Sequence, residues 1–117
     1  MGDVSKHFSR REFACKCGCG FDSIDAETLQ VLEELRDTLR EPITITSGCR
    51  CAAHNKAVGG SEHSYHLTAR AVDISCPLPA NYVYDLLDNR YPNKYGLGRY
   101  SDWVHVDTRK TMTRWDG

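Results

Sequence analysis

The chain has 117 residues and a formal net charge of −1, enough for one domain, residues 1–117, with a small core. That balance provides no basic footprint for nucleic acid and no acidic tail. Hydrophobic residues at 40% and charged residues at 26% are the mix of an ordinary globular domain, and no apolar run reaches the length of a membrane span.

The opening stretch Met1-Gly2-Asp3-Val4-Ser5-Lys6 lacks the apolar core of a secretory signal. The expectation is a protein that is cytoplasmic at synthesis and leaves, if it leaves, by another route. Phe8 to Phe13 reads as a one-turn helix, with Ser9 as cap and Glu12 at the capping-box offset. The Cys- and Gly-rich stretch to Phe21 reads as a loop. Six cysteines, Cys15, Cys17, Cys19, Cys49, Cys51 and Cys76, are many for this length. Cys15-x-Cys17-x-Cys19 lacks the two-residue gap of common zinc knuckles. Reduced thiols or an incidental disulfide are therefore expected ahead of a cysteine-bound metal.

Asp25 caps a predicted helix over Ala26 to Arg40, with Leu29, Leu32, Leu35 and Leu39 as its buried stripe, Val31 at the margin and Pro42 as its stop. Ile43 to Thr46 is β-branched at every position and reads as a strand. Ser47-Gly48 then turns the chain and delivers Arg50. Cys51 to Val58 is a short helix stopped by Gly59-Gly60, and Ser61 to Leu67 a loop. Arg70 to Ser75 is a strand, broken by Pro77 and Pro79. Ala80 to Asn89 is a helix with Val83, Leu86 and Leu87 inward. Lys94 to Arg99 is a strand interrupted by Gly96 and Gly98, Trp103 to Thr108 is a strand, and a tail containing Arg114-Trp115 follows. Helices and strands mix without strict alternation, which indicates an α+β fold.

Strand parity picks out a site. Val72 and Ile74 share one face of their strand, leaving Asp73 on the other; Val104 and Val106 do the same for His105. If both apolar faces pack on one core, Asp73 and His105 emerge together. His66 lies just upstream of Asp73. Two neutral imidazoles and one carboxylate leave zinc an open fourth position, which lowers the pKa of a bound water to about 7. Asp102 has the wrong parity to join His105 from within a strand, so it must lie in the turn before it to act as a proton-handling base. Arg50 is suited to a substrate carboxylate or an oxyanion. Each residue also has a plainer reading, as a hydrogen-bonded histidine, a turn cap or a solvated charge. His7, His54 and His63 are further candidates, with His63 the best alternative ligand.

Ser64, His66, Ala71 and Asp73, followed by Asp102-Trp103-Val104-His105, make the chain resemble the zinc D-Ala-D-Ala carboxypeptidase family of metallopeptidases, nearest its small phage-type members. Ile45 to Arg50, His54-Asn55 and Val58 to Gly60 extend the resemblance over nearly the whole chain. Ala69 departs from it, standing where the family has glycine. At positive φ an alanine would be strained, and its methyl group could narrow the pocket. The resemblance implies a small antiparallel sheet flanked by helices, as in the Hedgehog signalling domain and D,D-peptidases. It implies one Zn2+ on His66, Asp73 and His105, Asp102 as general base, and Arg50 as a substrate and oxyanion contact. Ser64, Tyr65 and Trp103 would lie against substrate, with Tyr95 and Tyr100 as further pocket aromatics. The implied activity is hydrolysis of peptidoglycan stem peptides by a monomer, as a D,D-carboxypeptidase or an L-Ala-D-Glu endopeptidase. A phage lysis protein that reaches the wall through a separate membrane lesion fits this reading, as does a tail-associated or host recycling enzyme. Two other readings compete: a non-catalytic zinc-containing binding module of the same fold, and a Cys-rich metal protein with incidental histidines.

Overall fold

A computed structural model describes residues 2–117; Met1, the first residue of the stretch read for a secretory signal, lies outside the described residues. The N-terminal segment is pinned by a one-turn 3-10 helix, Arg10–Phe13. Ser9 and Glu12 form the expected capping box, with the Ser9 amide donating to Glu12 Oε2 at 2.6 Å. Phe8 and Phe13 are buried, their ring centroids 6.0 Å apart.

Helix α1 spans Ala26–Leu39, and the Asp25 carboxylate accepts from the amides of Glu27 and Thr28. Its buried face is Thr28, Val31, Leu32 and Leu35. Leu29 and Leu39 are only partly buried, so the face is rotated from the predicted leucine stripe. Thr28 is the reason. Its hydroxyl bonds Thr108 Oγ1 at 2.8 Å and donates to the Arg70 carbonyl at 3.0 Å, which turns this side of the first turn inward. The helix ends with Arg40 in the left-handed region at φ 55°.

The strands are β1 (Thr44–Ser47), β2 (Ala71–Ser75), β3 (Gly96–Arg99), β4 (Val104–Asp107) and β5 (Thr113–Asp116), and they form one sheet in the order β1-β2-β4-β3-β5. Helices α2 (Ala52–Ala57) and α3 (Ala80–Arg90) complete the set, with α3 packed against β3. A second 3-10 turn, Tyr65–Thr68, occupies what the sequence suggested was loop. The fold is α+β, but the sheet is mixed rather than purely antiparallel. The expected tail is strand β5, which pairs with β3 in parallel. Geometry accounts for this: the chain reverses after β4, and β3 already runs against β4. A return strand on the free edge of β3 must run parallel to it.

The sheet has two faces. Val72, Ile74, Leu97, Val104 and Val106 face the core, with Ile45, Leu32, Leu35 and Val83 among the residues packed there. The opposite face carries Asp73, His105, Asp107 and Trp115, and on β3 it carries only glycine. A side chain at Gly96 would come within 2.5 Å of Asp107 Oδ2, and one at Gly98 within 2.5 Å of the Trp115 ring. The two glycines that seemed to interrupt β3 clear the space this polar face needs. Among the described residues no helix is long and apolar enough to cross a membrane.

Candidate metal centre

The register of β2 and β4 sets Asp73 directly opposite His105, so strand parity places both on the non-core face. His66 comes from the 3-10 turn just before β2, whose cap Ser64 accepts from the His66 amide at 3.1 Å. Between turn and strand is Ala69, at φ 61°. This left-handed residue ends the turn that holds His66 and starts the strand that holds Asp73. Ala69 is 4% exposed, and its carbonyl accepts from the Asp25 amide at 2.9 Å. The strain expected of a residue other than glycine is present here. Ala69 is buried, however, and is not among the residues that line the cleft.

Hydrogen bonds define which nitrogens face inward. His66 Nδ1 is 2.7 Å from the Gly48 carbonyl, which can only accept, so Nδ1 carries the proton and Nε2 offers its lone pair. His105 Nε2 is 2.8 Å from Asp107 Oδ2. That carboxylate also accepts from Arg109 Nε at 2.8 Å and Nη2 at 2.7 Å. It therefore accepts a hydrogen bond from Nε2–H, which keeps the proton there and leaves Nδ1 of His105 to face the centre. Asp73 Oδ1 is 3.6 Å from His66 Nε2 and 3.1 Å from His105 Nδ1. Four-coordinate zinc with bonds near 2.0–2.1 Å separates its ligand atoms by roughly 3.3 Å, and the two distances bracket that value. The residues therefore fit the metal in type, in tautomer and in spacing.

When the two rings carry a second proton they hydrogen-bond Asp73 themselves: burial pushes its carboxyl up, but those bonds from His105 and His66 and their charges hold it well below the usual carboxylate range. Asp107 is likewise driven up by burial and brought far down by His105 and Arg109. Burial pulls His105 down, and its bonds to Asp107 and Asp73 more than reverse this.

Around the centre opens a cleft whose walls include Arg50, Ser64, Tyr65, Trp103, Arg109 and Trp115. Arg50 Nη2 lies 3.6 Å from Asp73 Oδ2. Its side chain is steadied by Ser47 Oγ at 3.3 Å and Asn55 Oδ1 at 3.2 Å. Tyr100 stacks on Trp103 at 4.6 Å, and Trp115 Nε1 donates to the Tyr100 hydroxyl at 3.0 Å. Tyr95, the other aromatic proposed for the pocket, is 5% exposed and packs in the core instead. His63 lines the cleft but does not belong to the group His66, Asp73 and His105. Asp102 is in the bend before β4, as parity required, and it is exposed. It borders a small cavity with Leu39, Ile43, Ile74 and Val104. Trp103 borders both that cavity and the cleft, and Asp102 borders only the cavity.

Asp107, Arg109 and Trp115 were not singled out from sequence. Asp107 shares the parity of His105, and that signal was available. Arg109 lies 4.5 Å over the Tyr65 ring and 5.3 Å over Trp115, contacts that depend on β5 and could not be read locally. Comparison with curated proteins finds no match. The model of a family described as Peptidase M15 matches residues 6–107, a span that includes His66, Asp73 and His105 and stops short of Arg109 and Trp115.

Proposed function

Because the chain belongs to the peptidase M15 family, whose members are zinc-dependent peptidases, we propose that it hydrolyses peptidoglycan stem peptides, with one zinc on His66, Asp73 and His105. The observation that carries this reading is the fixed tautomer pair. The Gly48 carbonyl and the Asp107 carboxylate tie up the outer nitrogens, so both imidazoles present lone pairs toward one carboxylate. Zinc bound there supplies a lowered pKa for water and a polarised scissile carbonyl.

The chain's own residues divide the remaining work. Arg50 binds a substrate carboxylate or steadies the developing oxyanion. Ser64, Tyr65 and Trp103 orient the peptide. Asp102 is the proposed general base, taking a proton from the attacking water and returning it to the leaving amine. The bond cut is a D,D-peptide bond at the stem terminus or the L-Ala-D-Glu bond. The enzyme acts as a monomer, reaching the wall in a phage lysis setting. A specific observation favours a second reading, a zinc-containing binding module: Asp102 borders the apolar cavity rather than the cleft.

One experiment separates the two. Zinc-loaded protein is incubated with purified peptidoglycan, and the new termini are identified by mass spectrometry. One stem-peptide bond is expected to be cut. Asp102→Asn is expected to lower the rate by about 10²–10⁴-fold with zinc still bound, the range of general acid–base catalysis. An unchanged rate in Asp102→Asn moves the base to another cleft group, and no cleavage at all supports the binding module.

A further inference from the structure

The cysteines expected to be ordinary thiols form a second cluster, distinct in composition from the histidine centre. The sulfurs of Cys15, Cys17, Cys19 and Cys51 all lie within 4.8 Å of one another. Cys15 to Cys17 is 3.5 Å, Cys17 to Cys51 is 3.6 Å and Cys15 to Cys51 is 3.9 Å. These distances are too long for a disulfide, whose sulfurs are bonded at about 2.05 Å, and all six cysteines are free thiols. They match the edge of a tetrahedron of thiolates around one metal, which for bonds of about 2.3 Å is about 3.8 Å. A cluster of several irons would spread its thiolates over separate metal atoms and does not suit so tight a group. We propose that Cys15, Cys17, Cys19 and Cys51 hold a second, structural zinc ion.

The loop is built for this. In an extended chain, alternate residues are roughly 6.6 Å apart, at 3.3 Å per residue, too far for three sulfurs to share a metal. Gly18 at φ 80° turns the chain between Cys17 and Cys19, and its amide donates to the Cys15 carbonyl at 3.2 Å, which draws the three together. The missing two-residue gap of a zinc knuckle is thereby replaced by a left-handed glycine. Two amides already point at sulfur: Cys51 N lies 3.4 Å from Cys15 Sγ, and His54 N lies 3.4 Å from Cys51 Sγ. The fifth nearby thiol has a different task. Cys49 is buried and donates to the carbonyls of Phe13 and Phe21, each at 3.2 Å, closing the base of the loop.

Four thiolates complete a tetrahedron, so this zinc has no open position and no catalytic part. Its role is to fasten the loop to the segment Gly48–Cys51. That segment lends the Gly48 carbonyl to His66 and carries Arg50.

The test uses full-length protein purified under reducing conditions, with metal and accessible thiols counted. Two zinc ions per chain are expected. His66→Ala/His105→Ala should keep one, and after cobalt exchange should show thiolate-to-cobalt charge-transfer absorption. Cys17→Ser/Cys19→Ser should also keep one zinc, without that absorption. A soluble histidine variant that carries no zinc and leaves its thiols open to alkylation would overturn the proposal, as would a disulfide among the four. Loss of one zinc of the two in the histidine variant leaves the cysteine site standing, so the failures of the two sites are distinguishable.

Discussion

The two proposed ligand clusters are assembled in opposite ways. His66, Asp73 and His105 stand on or beside paired strands, and each ring is fixed by a partner other than metal. The four cysteines stand on a glycine-turned loop and the cap of a six-residue helix, with two N–H to sulfur contacts to steady them. A site held by its own hydrogen bonds exists before metal arrives. A site held mainly by loop residues owes much of its order to the ion.

The largest effect expected from this contrast is on chelation. At free zinc a thousandfold above the dissociation constant, bound metal stabilises its site by about 4 kcal/mol. Stripping both ions should therefore strip most exchange protection from the amides of Lys16 to Gly20, while the ladder between β2 and β4 keeps its protection. Hydrogen-exchange mass spectrometry reads this directly. Equal loss in both regions would erase the distinction.

The next effect sharpens the preformed half. Asp107 is fully buried and makes the bond that sets the His105 tautomer. Asp107→Asn should weaken zinc at the histidine centre by roughly 10–100-fold, the usual cost of losing an outer-shell partner, and leave the cysteine zinc unchanged. Competition with a chromophoric chelator measures both affinities in one titration.

A third effect concerns what anchors the N-terminal segment leading to the cysteine loop. Glu33 accepts from the Ser5 hydroxyl and from the His7 amide at 2.7 Å, and its Oε1 lies 2.6 Å from His7 Nδ1. Burial raises this carboxyl, but those bonds lower it below its ordinary 4.5. Because the folded value is depressed, the stabilisation is full above 4.5 and fades as pH falls through the folded value. Glu33→Gln should cost about 1–2 kcal/mol at neutral pH, and the gap to wild type should close in acid. Urea melts across pH, with zinc held fixed, test the sign.

The same contrast explains what was legible in the sequence. Alternation in Val72/Ile74 and Val104/Val106 is a local signal with one geometric meaning, so the pairing of Asp73 with His105 follows from the residue pattern alone. The family pattern added His66. Three features needed the third dimension. Strand β5 is short and pairs with an edge created by β3, so Arg114-Trp115 looked like tail. The rotation of α1 comes from Thr28 reaching Thr108 across the fold. The cysteine cluster joins segments whose sulfurs are 34 and 36 residues apart in sequence, and its spacing fits metal only once Gly18 is known to turn the chain.

The smallest effect lies at the junction between His66 and Asp73. Ala69 at φ 61° bears a left-handed penalty of roughly 1–2 kcal/mol for an L-residue. Glycine would remove that penalty but lose about 0.4–1 kcal/mol to the freedom it adds to the unfolded chain. Ala69→Gly should therefore stabilise by about 0.5 kcal/mol and raise Tm by about 2–4 °C. Ala69 is buried and is not among the residues that line the cleft, so KM should not move. Thermal melts and peptide hydrolysis on the same zinc-loaded sample check both halves. A change in turnover without a change in Tm would give Ala69 a different meaning: its strained turn would be setting the spacing between the two ligands on either side of it.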